Sequence, residues 1–154
     1  MTVTTIAIAA EAPDQPEIIA MLHASDAYMH GLYPPENNYM LYVADLMVPA
    51  ISFLVARRDS AAIGCAALAR RDGYAEIKRM WVSPEARGLK LGRRLLDALE
   101  DIARAEAIPT LMLEAGDKQP EALGLYESGG FTICPAFGDY SEGPPSVFMA
   151  KRLG

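Results

Sequence analysis

Cysteine is nearly missing from this chain. Two occur in 154 residues, Cys65 and Cys134, too far apart for a metal-binding C-x-x-C and too few for a disulfide framework. Both stand in apolar, strand-like runs, so buried free thiols are expected, and with them a reducing, cytoplasmic setting. Histidine is as scarce. His23 and His30 lie seven apart without the carboxylate or thiolate company a metal needs, so packed or surface imidazoles are expected and no metal site. Basic charge is in deficit too: 14 Lys and Arg against 20 Asp and Glu give a formal net charge of -6. A chain of that sign has no general means of displacing counterions from a phosphate backbone, which argues against nucleic acid as a partner. No window of about 18 apolar residues occurs, so no membrane span is expected. The stretch MTVTTIAIAAEAP lacks the charged start and long apolar run of a signal peptide.

What is present reads as one globular domain over residues 1–154, with 51% hydrophobic and 22% charged residues. Val3 to Ala9 predicts a first strand. Asp14 is placed to cap a helix with Pro16 and Glu17 in its first turn, and Ile18, Leu22 and Met29 fall on one stripe. Gly31 to Asn38 is a proline-rich turn, and Tyr39 to Met47 predicts a second short helix. The period then changes. ISFLVARR, AAIGCAALARR and YAEIKRMWV predict an antiparallel meander, with Asp72-Gly73 as a type I′ hairpin turn. From Gly88 the pattern is helical, with Leu95, Leu99 and Ile102 at i, i+4 and i+7. A strand over Thr110–Glu114 follows, then a helix over Gln119–Ser128 ended by Gly129-Gly130 in the left-handed way. Phe131–Cys134 and Ser146–Lys151 predict two closing strands. This order predicts an α+β layered protein with a mixed, mostly antiparallel sheet.

One segment stands against the overall charge. Arg87, Lys90, Arg93 and Arg94 follow each other with no acidic residue between them, where a strand gives way to a helix. Helix N-termini leave backbone N–H groups unpaired and carry partial positive charge. Basic side chains there are unfavourable unless an anion joins them. Gly88 and Gly92 would let backbone approach that anion closely. There is no G-x-G-x-x-G and no G-x-x-x-x-G-K-S/T, so neither a dinucleotide fold nor a P-loop is indicated.

The run Arg87-Gly88-Leu89-Lys90-Leu91-Gly92 resembles the Gln/Arg-x-x-Gly-x-Gly/Ala acetyl-CoA loop of the GNAT superfamily of N-acetyltransferases. It follows the strand WVSP as the family's loop follows its fourth strand. Lys90 takes the place of the motif's first glycine, and it is expected to keep a negative φ and add a phosphate contact. Gln119 to Phe131, QPEALGLYESGGF, resembles the family's N-x-x-A-x-x-L-Y-E-x-x-G-F segment, with Gln119 for asparagine. Tyr74-Ala75-Glu76-Ile77 resembles the acidic entry to its fourth strand. The likeness covers Ile51 to Phe131 well, and it points to a bacterial subgroup of small acetyltransferases.

The resemblance implies a three-layer α/β/α fold and transfer of an acetyl group from acetyl-CoA to a primary amine by direct attack. It implies Glu76 as general base and Tyr126 as general acid toward the departing thiolate. It assigns Met80, Trp81 and Val82 to the thioester and pantetheine arm, Arg87 through Arg93 to the pyrophosphate (Leu89 and Leu91 included), and Gln119 to the cofactor's other side. The acceptor would enter between the first helices and the last loop, with Tyr33, Asn38, Phe137 and Tyr140 as candidates to touch it. Small-molecule, peptide and protein amines all stay open, and the resemblance admits a homodimer. Two rival readings stand beside it: a non-catalytic acyl-CoA-binding module on the same fold, and a polyanion-binding adaptor.

Overall fold

The computed structural model describes residues 5–34 and 42–154, and in it seven strands form one sheet. In chain order they are β1 (Ile6–Ala10), β2 (Ile51–Arg58), β3 (Ala61–Arg70), β4 (Ala75–Val82), β5 (Thr110–Gly116), β6 (Thr132–Ile133) and β7 (Ser146–Arg152). The helices among them are α1 (Pro16–Leu32), α2 (Val43–Leu46), α3 (Leu91–Ala105) and α4 (Pro120–Ser128). In space the strands lie β1-β2-β3-β4-β5-β7-β6. Neighbours are antiparallel except β4 and β5, which run parallel because α3 carries the chain back across the sheet.

Period-two alternation divides the interior. On β2 and β3, Leu54, Ala56, Ala66 and Leu68 join the cluster containing Leu91, Leu95, Leu96, Leu99 and Ala103 of α3. Phe53, Val55, Cys65 and Ala67 join the other, with Ile18, Met21 and Leu22 of α1 and Leu46 of α2. Helices therefore cover both faces, which gives the three-layer α+β architecture. Strands buried on both faces read as unbroken apolar runs, as ISFLVARR and AAIGCAALARR do.

Some local expectations need correction. The residue before α1 is Gln15, not Asp14, and its side-chain amide turns back to Glu11 and the Ala12 carbonyl instead of capping the helix. Pro16 at the first helical position has no N–H to satisfy, so the helix starts there without a side-chain cap. Gly73 has a positive φ of 84° but Asp72 does not, so the turn is not type I′. Of the short helix expected over Tyr39–Met47, Val43–Leu46 is helical, while positions 39–41 lie outside the described residues. Cys65 is buried, and burial pushes its thiol up to about 12. Cys134, just past the edge strand β6, is only half-buried. His23 and His30 are both on the exposed side of α1.

The feature that positions the site is a parting of strands. β4 and β5 pair only at Ala75↔Leu111, Glu76↔Met112 and Ile77↔Leu113. β4 nevertheless runs on to Val82, and β5 to Gly116. The cause is a bulge in β4: Ala67 faces Lys78 and Cys65 faces Trp81, so Arg79 and Met80 share the place opposite Ala66. Arg79 adopts φ 55° and is buried there. Its guanidinium donates to Asp26 Oδ1 at 2.6 Å and to the Leu22 carbonyl at 3.1 Å, which pins the bulge to α1.

Candidate active site

Two adjoining hollows follow from that parting. The outer groove is lined by Met80, Trp81 and Val82 of β4, by Arg87, Gly88, Lys90, Leu91, Gly92 and Arg93 at the start of α3, and by Gln119 to Ala122 with Leu125. The inner cavity lies between the separated ends of β4 and β5, against α1 and α4. Tyr28, Met80, Trp81, Gln119 and Ala122 line both. The residues expected to meet the cofactor are thus brought together, with the exception of Leu89, which is exposed outside the groove.

The start of α3 fits an anion. Its first helical bond runs from Arg94 N–H to the Lys90 carbonyl, leaving the N–H groups of Leu91, Gly92 and Arg93 at the open end. A Cβ at Gly92 would come within 2.9 Å of Leu125, so the small residue lets α4 close against this turn. Arg87 pairs with Glu121 at 2.9 Å, and Arg93 with Asp97 at 3.0 Å. Both pairs are exposed, so an incoming phosphate can compete for either guanidinium at little cost. Arg94, counted with the island in the sequence, instead donates to the Ile6 carbonyl at 3.2 Å.

Lys90 departs from expectation. Its φ is 56° and its ψ 29°, left-handed backbone immediately before the helix. In that shape it ends the turn that leads from the short 3-10 turn Pro84–Ala86 through Gly88, itself at φ 88°, into α3. This accounts for glycine in the motif position, and lysine holds the same shape under strain of roughly 1–2 kcal/mol. Lys90→Gly is therefore expected to raise stability, by about 0.5–1 kcal/mol after the greater freedom of glycine in the unfolded chain is subtracted. Denaturant titration checks this, and a less stable variant would contradict it.

The inner cavity holds Tyr126, as expected, and a carboxylate that the sequence reading passed over, Glu114. Tyr126 is buried and packs edge-on to Phe131, with ring centroids 5.9 Å apart. Burial pushes its phenol up, and the nearby charge of Glu114 pushes it further. Glu114 comes from β5 just past the last pairing with β4, and it accepts a hydrogen bond from Ser146 Oγ at 2.8 Å. Burial raises its carboxyl above the usual carboxylate range; the Ser146 bond and the Lys78 charge oppose this, and the Glu76 charge adds to it. A carboxylate raised toward neutrality beside a phenol that keeps its proton is an acid–base pair. The sequence signal was a single glutamate closing the apolar strand Thr110–Glu114, which reads equally well as the strand simply reaching solvent.

Glu76 lies one strand over and does not line that cavity. It is buried, pairs with Arg71 at 3.2 Å and Lys78 at 3.5 Å, and accepts a hydrogen bond from the Tyr140 hydroxyl. Its two oxygens are thus shared among these three side chains. Phe137 and Tyr140 do not open onto the cavity either. They form an aromatic cluster with Phe148, and Phe137 also meets Tyr74 at 5.6 Å, which closes the last loop over Glu76. Tyr33 does line the cavity. Its hydroxyl accepts the Lys118 N–H at 2.9 Å and fills the space where Gly116 lacks a side chain, so it also ties α1 to the loop that carries Gln119. Asn38 lies outside the described residues.

Comparison with known proteins bears on this geometry. A model of the acetyltransferase (GNAT) family matches residues 16–131. A protein of Azospirillum brasilense named IAA acetyltransferase is 43% identical over 150 residues, 96% of this chain and 98% of that one. A solved structure from Klebsiella pneumoniae, described as an acyl-CoA N-acyltransferase, superposes with a TM-score of 0.81 at 35% identity, covering 97% of this chain and 98% of that one. An N-acetyltransferase of Thermoplasma acidophilum solved with coenzyme A gives a TM-score of 0.75 at 22% identity over 97% and 99% of the two chains, a likeness of fold.

Proposed function

The chain belongs to the acetyltransferase (GNAT) family, and we propose that it moves the acetyl group of acetyl-CoA onto a primary amine by direct attack within a ternary complex. The observation that carries this reading is that the two hollows adjoin, sharing Met80, Trp81, Gln119 and Ala122 in their linings. A ligand with its pyrophosphate at the start of α3 and its pantetheine arm along Met80–Val82 would set its thioester beside Glu114 and Tyr126. Arg87, Lys90 and Arg93, with the N–H groups around Gly88 and Gly92, take the phosphate charge. Gln119 faces the arm from α4. The β4 backbone freed by the bulge offers donors to the thioester carbonyl, worth about 3 kcal/mol in the transition state.

The chemistry then follows from the pair in the inner cavity. The acceptor reaches it as an ammonium ion, which cannot attack. Glu114 takes its proton, the free amine forms the N–C bond, and the C–S bond breaks. Neutral Glu114 no longer opposes ionisation of Tyr126, so proton uptake at one group eases proton release at the other. Tyr126 first donates a hydrogen bond to the sulfur and then its proton as the thiolate forms. The phenolate left behind takes the second proton that the nitrogen must lose to become a neutral amide, and Glu114 releases the first to solvent. Glu114 is assigned as the base in place of Glu76, whose oxygens face Arg71, Lys78 and Tyr140 outside the cavity.

Acetyl-CoA should raise the melting temperature, and CoA should appear when an acceptor amine is added. Tyr126→Phe is expected to lower kcat by about 10²-fold while leaving the Kd for acetyl-CoA close to wild type. Unchanged turnover in that variant would remove Tyr126 as the acid. Stabilisation by acetyl-CoA with no turnover over a broad amine panel would favour an acyl-CoA-binding role instead.

A further inference from the structure

Strand register explains what holds Glu114, the residue on which the proposed chemistry turns. On β5, Leu111, Leu113 and Ala115 face the α3 side of the sheet, so Glu114 and Gly116 face the other. Glu114 stands opposite Phe148 of β7, and Gly116 opposite Ser146. Residues opposite one another share a face, which makes Ser146 the diagonal neighbour of Glu114, within reach of a long side chain. Its hydroxyl donates to Glu114 Oε2 at 2.8 Å. Phe148, directly opposite, is buried and packs its ring on Phe137 and Tyr140. It has no polar group to offer.

Ser146 is the one hydrogen-bond donor to Glu114 among the described residues. The other oxygen, Oε1, has no such partner there and is not sealed within the protein. Glu114 lines the inner cavity and Ser146 does not. One oxygen is therefore held from behind while the other stays accessible. The remaining titratable groups acting around this carboxyl are Lys78 and Glu76 of β4, Tyr126 of α4, Tyr33 at the end of α1 and Tyr140 of the last loop. Burial raises the carboxyl, and the Ser146 bond opposes this ahead of the Lys78 charge, while the Glu76 charge adds to it. A hydroxyl suits the place. A cation bonded to Oε2 would hold the carboxylate ionised and weaken it as a base, whereas a neutral donor orients it and leaves its basicity.

We propose that Ser146 is a positioning residue for acetyl transfer: its hydroxyl fixes Glu114 with Oε2 turned to β7 and Oε1 turned to the arriving amine. The inference rests on the acetyl-transfer reading above and adds the group that aims its base. Ser146 touches neither cofactor nor acceptor and acts through Glu114 alone. Without the hydroxyl, the carboxyl is free to turn about its side-chain bonds, and burial is less opposed. Both changes act in one direction, since fewer molecules then hold an ionised, aimed carboxylate at a given pH.

The test compares Ser146→Ala and Ser146→Thr with the wild-type protein in two measurements. The first needs no acceptor. With carbon-13 in the glutamate side chains, NMR follows through pH the carboxyl signal that is missing in Glu114→Gln. Its titration should move to higher pH in Ser146→Ala and stay near wild type in Ser146→Thr, which keeps the hydroxyl. The second is kcat/KM with saturating acetyl-CoA on the best acceptor from a panel of amino acids, arylalkylamines, polyamines and peptides. Ser146→Ala should lose about tenfold on the acid limb, the loss expected when a charge-assisted hydrogen bond is removed, and less toward the alkaline plateau. Ser146→Thr should recover most of the rate, and the Kd for acetyl-CoA should stay close to wild type in both variants. An unshifted Glu114 titration, or a loss of the same size at every pH, would make Ser146 a packing residue only and overturn the inference while leaving acetyl transfer standing. No acetylation of any amine by a wild-type protein that binds acetyl-CoA overturns both.

Discussion

Glu114→Gln should remove most of the turnover and at the same time make the protein more stable at neutral pH. The carboxyl is held above its ordinary value of 4.5 chiefly by burial. The folded state therefore binds the proton more tightly than the unfolded chain does. As pH rises through the window that begins near 4.5, the unfolded chain ionises first, and stability falls. Glutamine cannot ionise and still accepts the Ser146 hydrogen bond, so the variant escapes that loss. Its melting temperature should match wild type below about pH 4.5 and exceed it at pH 7. Turnover should drop by about 10²–10⁴-fold, the usual range for a general base. In the wild-type protein the acid limb of kcat/KM should lie above 4.5 for the same reason, and it should vanish in the variant. Glu76→Gln is the control. If it abolishes the acid limb and Glu114→Gln does not, the base is on β4 and the assignment is wrong.

The second large effect is structural and acts on the shape of the site. Asp26→Ala should cost about 3–5 kcal/mol, because it strands a buried guanidinium. The Arg79 side chain is 3% exposed, and its Nε already has no partner among the described residues. Without Asp26, the Leu22 carbonyl is its remaining hydrogen-bond acceptor on α1. Against a typical total stability of 5–15 kcal/mol, such a loss leaves the domain marginal. The double variant Asp26→Ala/Arg79→Met should be less damaged than Asp26→Ala alone, since it buries no unpaired charge. Denaturant unfolding of the three proteins checks this, and a cost below about 1 kcal/mol for Asp26→Ala would mean that water reaches the pair. Because Arg79 forms the bulge that separates β4 from β5, the variant that stays folded should also bind acetyl-CoA less well.

These two residues also mark what could be read in the sequence. The meander over Ile51–Val82, the cationic start of α3 and the Gln119–Phe131 segment were visible because each is a local pattern of apolar period, charge or turn residues. Their order pointed to an α+β layered protein with a mixed sheet, and the family resemblance supplied the three layers. The bulge could not be read, because it depends on Arg79 meeting Asp26 across 53 positions, and neither residue advertises the other. Glu114 was missed for a related reason. A glutamate at the end of an apolar strand usually faces water, and only the parting of β4 from β5 turns this one inward. Tyr33 and Gly116 are another such pair, since the hydroxyl fits only where the side chain is absent. Lys90 shows the opposite case: the motif position was recognised, but the sequence gives no warning that the backbone there is left-handed.

The most direct measurement of the central claim follows the acetyl group itself. Acetyl-CoA labelled in the acetyl carbons is incubated with the protein and a panel of free amino acids, simple amines and peptides. Mass spectrometry then reads the label on each acceptor, while released CoA is counted by its thiol. The account predicts one labelled acetyl group on an amine nitrogen for each CoA released. CoA release without label on any amine, or tight acetyl-CoA binding with neither, would contradict it.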